Sequence, residues 1–98
     1  MRSREYHRAI AIKLARDPSI AARARARVDA WEATGVLHPR LAAAWRDVLA
    51  LPSAPLAERL VEDSEQMTLL RSSSPFAGEL GPRERWAIWE AVRREARP

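Results

Sequence analysis

The chain contains no cysteine and no asparagine, and only one phenylalanine, one tyrosine, one lysine and three glycines. Without cysteine there are no disulfides and no thiolate metal sites, which suits a reducing compartment. The glycines form no phosphate-cradling loop, and neither HExxH nor GxSxG occurs. The two histidines, His7 and His38, have no metal-ligand spacing. His7 reads as a helix-surface residue. His38, just before Pro39, reads as a surface or capping residue. Long apolar runs are also missing, and no stretch nears the roughly 20 residues that a membrane-spanning helix needs. The charged opening MRSREYHR is not followed by the apolar segment of a secretory signal. Together these absences predict a soluble, cytoplasmic chain with no cofactor, no metal, no membrane contact and no catalytic role.

What the chain does have is alanine, arginine and tryptophan. Its 98 residues make one domain with a thin core. The formal charge is +4, and Lys13 is the only lysine, so the basicity is arginine's. Residues 1–52 carry ten Lys/Arg against five Asp/Glu, whereas residues 53–98 carry seven against eight. A basic front half has two readings. One is an acidic partner such as nucleic acid. The other is the amino-acid bias of a GC-rich genome.

Alanine and arginine favour helix, and no segment alternates apolar and polar residues over strand length. The pattern predicts an all-α fold, a small bundle of about four to six short helices in a single domain spanning 1–98. The first helix runs from about Arg4 to Arg16, with Tyr6, Ile10 and Leu14 on one stripe. Asp17-Pro18 ends it and opens a second helix to about Thr34, striped by Ile20, Ala24, Val28 and Trp31. Gly35 stops that helix, and Val36 and Leu37 are expected to fold back on the core. A third helix spans about Pro39 to Leu51 with Leu41, Trp45, Val48 and Leu49 inside. A fourth starts near Pro55 and reaches about Arg71 through Leu56, Leu60, Met67 and Leu70. Asp63, with Gln66 three residues on, suggests that it divides in two at a capping box. After an irregular loop over 72–81, a last helix covers about 82–96. Trp86, Trp89 and Val92 share one of its faces, with Ile88 beside it.

Three constellations are candidates for contact with a partner. Arg23, Arg25 and Arg27 alternate in ARARARV. Two residues turn a helix by about 200°, so Arg23 and Arg27 share a face and Arg25 points away. With Arg16, Arg40 and Arg46 they are the phosphate contacts of a nucleic-acid reading, or else a solvated face. The four tryptophans read mainly as core. Trp86 and Trp89, three apart on one helix, cannot both be central, and Arg85-Trp86 has the composition of an interface anchor. The loop SSSPFAG holds the only phenylalanine, Phe76, which either plugs the core or meets a partner.

The stretch VEDSEQMTLLRSSSPFAGELGPRERWAIWEAVR, residues 61–93, combines an acidic-serine start, an SPFAG loop and a helix carrying ERW. It resembles small all-helical, mostly uncharacterised proteins of GC-rich bacteria, some of which look like antitoxins of type II toxin–antitoxin modules. The resemblance covers about a third of the chain. It implies a cytoplasmic protein that neutralises a toxin, encoded by a neighbouring gene, by direct contact. It also implies a homodimer in some members and operator DNA as an occasional second partner. No N-terminal ribbon-helix-helix or helix-turn-helix pattern is present, which makes DNA binding the alternative and not the leading reading. The expected protein-contact residues are Arg71, Ser74, Pro75, Phe76, Arg85, Trp86 and Trp89, with the aromatic rings filling pockets and the arginines pairing with carboxylates.

Overall fold

The structure, a computed structural model, describes residues 2–95. Its order is α1 (Arg2–Arg16), α2 (Ser19–Ala33), α3 (Pro39–Leu49), α4 (Ser53–Leu60), α5 (Glu65–Arg71), a single 3₁₀ turn at Ala77–Glu79, and α6 (Pro82–Glu95). There is no strand among the described residues. This is the all-α bundle that the periodicity predicts. Ala96, where the sequence reading ends the last helix, lies outside the described residues.

Local chemistry sets the boundaries. Asp17 Oδ1 accepts the Ser19 backbone N–H at 3.1 Å and so serves the start of α2. At the other end Gly35 adopts φ +79°, the left-handed conformation in which glycine carries no Cβ penalty. His38 caps α3, its Nδ1 accepting from the Arg40 N–H at 3.0 Å with Pro39 in the first helical position. The fourth predicted helix does divide. Its second part is capped by Ser64, whose hydroxyl accepts the Met67 N–H at 3.2 Å, and not by Asp63.

One continuous core gathers the predicted stripes. Ile10 and Leu14 of α1, Ile20, Ala24 and Val28 of α2, and Trp45, Val48 and Leu49 of α3 are buried. So are Leu56, Leu60, Met67 and Leu70 of α4 and α5. Helix α1 is central, packing on α4 and also on α2, α5 and α6, while α2 packs on α3. Leu37 folds back as expected, but Val36 does not and stays 72% exposed. Helix α6 is the outlier, with no fully buried residue. It lies chiefly against α1 and reaches the core only through half-buried Ile88.

Candidate functional site: a cleft between α1, α5 and α6

The loop after α5 is held from three sides. Phe76 is fully buried, edge-on to Trp45 with ring centroids 5.9 Å apart and to the His7 ring at 6.4 Å. Arg27 NH1 donates to the Pro75 carbonyl at 2.8 Å and pairs with Glu79 at 2.9 Å. Arg23 grips the same carboxylate through Nε at 3.1 Å and NH2 at 2.8 Å. Bonds from Arg23 hold the Glu79 carboxyl below the usual range, and Arg27 adds to that against partial burial. The two arginines that the 3.6 period puts on one face of α2 thus clamp one side chain.

His7 is the polar centre of the loop's contact with α1. It is 3% exposed, so its reading as a helix-surface residue is corrected. Its Nδ1 lies 2.6 Å from the Ser3 carbonyl oxygen and its Nε2 2.6 Å from Ser74 Oγ. A carbonyl only accepts, so Nδ1 carries the proton, and in the neutral ring Nε2 accepts from the Ser74 hydroxyl. Ser74 Oγ in turn accepts the Phe76 N–H at 3.1 Å. The sequence signal for this burial is spacing. His7, Ile10 and Leu14 stand at i, i+3 and i+7, the register of a core stripe.

Burial holds the His7 ring below its ordinary 6.5; the charge of Arg71 works in the same direction and the bond to Ser3 opposes both. The native ring is therefore the neutral one. A proton on Nε2 would make Ser74 Oγ the acceptor and leave the hydroxyl proton without the ring as its partner, and between the folded pKa and 6.5 the unfolded chain binds more protons than the native one. Stability is then expected to fall as pH drops below about 6.5 and to level off once the folded ring also titrates. Urea unfolding at pH 7.5 and pH 5.5, for the wild type and His7→Gln, checks this. The wild type should lose midpoint between the two and the variant should not; equal losses would put the effect elsewhere.

Beside this network lies a half-open cleft of about 350 Å³. Tyr6, Trp31, Val36 and Ala77 form its accessible apolar walls, over a floor of buried Ile10, Leu37 and Leu80. His7, Arg71, Arg85 and the serines Ser3, Ser72, Ser73 and Ser74 supply its polar lining, and no Asp or Glu lines it. Arg71 is 6% exposed. Its NH1 donates to the carbonyls of Leu60 at 3.1 Å and Glu62 at 2.9 Å, and NH2 reaches Thr68 Oγ1 at 3.4 Å. Arg71 makes no ion pair among the described residues. Desolvation lowers its pKa, Arg4 adds to that, and only Asp63 opposes it. The groove continues along α6, where Tyr6, Leu80 and Arg85 meet Pro82, Trp86 and Trp89.

The seven residues expected to meet a partner thus separate into two groups. Arg71, Ser74, Pro75 and Phe76 are buried, so as surface contacts they are corrected. The physical reason is that Phe76 fills the space against Trp45 and draws the flanking residues in with it. Arg85, Trp86 and Trp89 stay accessible. Trp86 is 61% exposed and stacks on half-buried Trp89 at 4.9 Å and 28°. The Arg93 guanidinium sits 4.9 Å from the centre of the Trp89 ring.

The six arginines of the nucleic-acid reading do not form a common surface of uncommitted charge. Arg23 and Arg27 hold Glu79, Arg25 donates to the Leu49 carbonyl at 2.9 Å, and Arg46 pairs with Asp29 at 2.7 Å and Glu32 at 2.8 Å. Arg16 and Arg40 are exposed, one at the end of α1 and the other in the first turn of α3. No helix among the described residues is long and apolar enough to cross a membrane. Comparison with protein-family models, curated proteins and solved structures found no match to this chain.

Proposed function

We propose that the chain is a non-catalytic protein-binding module whose contact surface is the open face of α6. The observation that carries this reading is the Trp86–Trp89 stack, an aromatic shelf left uncovered on a helix with no fully buried residue. Exposed tryptophan is costly to leave in water and is enriched where binding energy concentrates. Arg85 and Arg93 flank the shelf, so the partner surface that fits it offers an apolar side chain ringed by carboxylates. The finer reading is an antitoxin that neutralises a cytoplasmic toxin by direct contact, and it rests on the sequence resemblance of residues 61–93.

Co-expression with the product of the adjacent gene, followed by purification and titration of the complex, tests it. Trp86→Ala is expected to weaken that complex about tenfold or more while costing only about 1 kcal/mol of stability, the scale of its stack on Trp89. Undiminished affinity in the Trp86→Ala, Trp89→Ala double variant would remove α6 from the interface. A second copy of the chain is the competing occupant, and sedimentation at several concentrations separates the two.

A further inference from the structure

The groove on α6 and the cleft beside it differ in chemistry. The cleft combines apolar walls with two guanidinium groups and no carboxylate. A buried cation in a folded protein is normally matched by an anion. Arg71 is buried but bonds only to carbonyls and, at longer range, to one hydroxyl. Both NH1 protons are used, Nε–H makes no hydrogen bond among the described residues, and NH2 keeps one proton beyond its long bond to Thr68, so two donors of the kind that meet a carboxylate side-on remain. Arg85 shares the lining and, among the described residues, donates only through NH2, to the Ala77 carbonyl at 3.1 Å. His7 and Ser74 have their protons engaged with Ser3 and with each other, so they add polarity without adding a charge of either sign.

We propose that this cleft is a binding site for a small amphipathic monocarboxylic acid. The carboxylate pairs with Arg71 and Arg85, and an aryl or medium alkyl body lies against Tyr6, Trp31, Val36 and Ala77. The volume, about 350 Å³, falls at the small end of the roughly 300–1,000 Å³ common for ligand pockets. A free inorganic anion would leave the apolar walls uncovered, and a neutral apolar molecule would leave the Arg71 charge unmatched. A molecule carrying both features satisfies both.

The test is titration of ¹⁵N-labelled protein with octanoate and 3-phenylpropionate, and in parallel with octanamide, 3-phenylpropanamide and inorganic phosphate. The acids are expected to give saturable amide shifts around Tyr6, His7, Ser74 and Ala77. They should bind at least about tenfold tighter than the matching amides, the scale of a charge-assisted pair. Phosphate should not saturate these shifts. Arg71→Gln is expected to abolish the preference for acid over amide. Should that variant not fold, Arg85→Gln and Tyr6→Phe carry the same comparison: Arg85→Gln should narrow the acid–amide gap and Tyr6→Phe should leave it. Equal affinity for acid and amide, saturation by phosphate alone, shifts centred away from the cleft, or no saturation by either acid would each overturn the proposal. No partner protein is present in this experiment, so its outcome is independent of the α6 reading.

Discussion

Phe76→Ala is expected to destabilise the protein by about 3–5 kcal/mol, the usual cost of emptying a buried phenylalanine position. Phe76 is wholly enclosed and touches rings from two other parts of the chain, Trp45 of α3 and His7 of α1. Truncation removes both edge-on contacts and opens a cavity beneath a loop that lacks regular backbone pairing to close it. Small domains are held by roughly 5–15 kcal/mol in total, so this one change takes a large share. Urea unfolding followed by far-ultraviolet circular dichroism checks it. Phe76→Leu, which keeps most of the volume, should cost clearly less. An unchanged midpoint for Phe76→Ala would mean that the ring is not part of the core. Any loss of partner binding in Phe76→Ala should then track loss of fold, whereas loss in Trp86→Ala should occur in a folded protein.

The second large effect is expected at Arg71. Arg71→Met keeps the buried stem but leaves the Leu60 and Glu62 carbonyls without their donor at the α4–α5 junction. An unsatisfied buried acceptor costs about 1–3 kcal/mol. Removing a desolvated charge gives some of this back. The Leu60 carbonyl, whose bond is buried, carries most of that cost, since Glu62 is an exposed residue whose carbonyl can turn to water, and the net expected cost is about 1–2 kcal/mol. Arg71→Lys should not restore stability, because an ammonium cannot span the acceptors that the planar fork holds at once. Chemical denaturation of the two variants decides the matter. A stabilised Arg71→Met would show that the buried charge costs more than its bonds return.

Most helices were legible because their determinants are local. Proline at the first position of α3, glycine after α2 and apolar residues at spacing three and four need no knowledge of distant chain. The division near Asp63 was visible for the same reason, although the cap fell one residue later, on Ser64. The polar interior was not legible. His7 and Ser74 are 67 residues apart in sequence, and only tertiary closure makes them a pair. Arg23 and Arg27 were placed correctly on one face, but a solvated face and a clamp on a distant carboxylate have the same period. Arg71 follows the same logic. It sits four residues after Met67 and one after Leu70, on the buried side of α5, yet its charge argued for the surface. Phe76 had two readings, and Trp45, its neighbour in space, decides between them.

The central position of α1 has a consequence for synthesis. Its main neighbours, α4 and α6, are translated later, so its apolar stripe of Ile10 and Leu14 has no permanent cover while the first half of the chain is emerging. A lone helix of 15 residues is marginal in water, so α1 gains lasting order only when the second half arrives. The α2–α3 pair, adjacent in sequence and in space, can form earlier and wait as a platform. Closure of the bundle thus waits for its second half, and α1, made before its main neighbours, is among the last of these helices to be locked in.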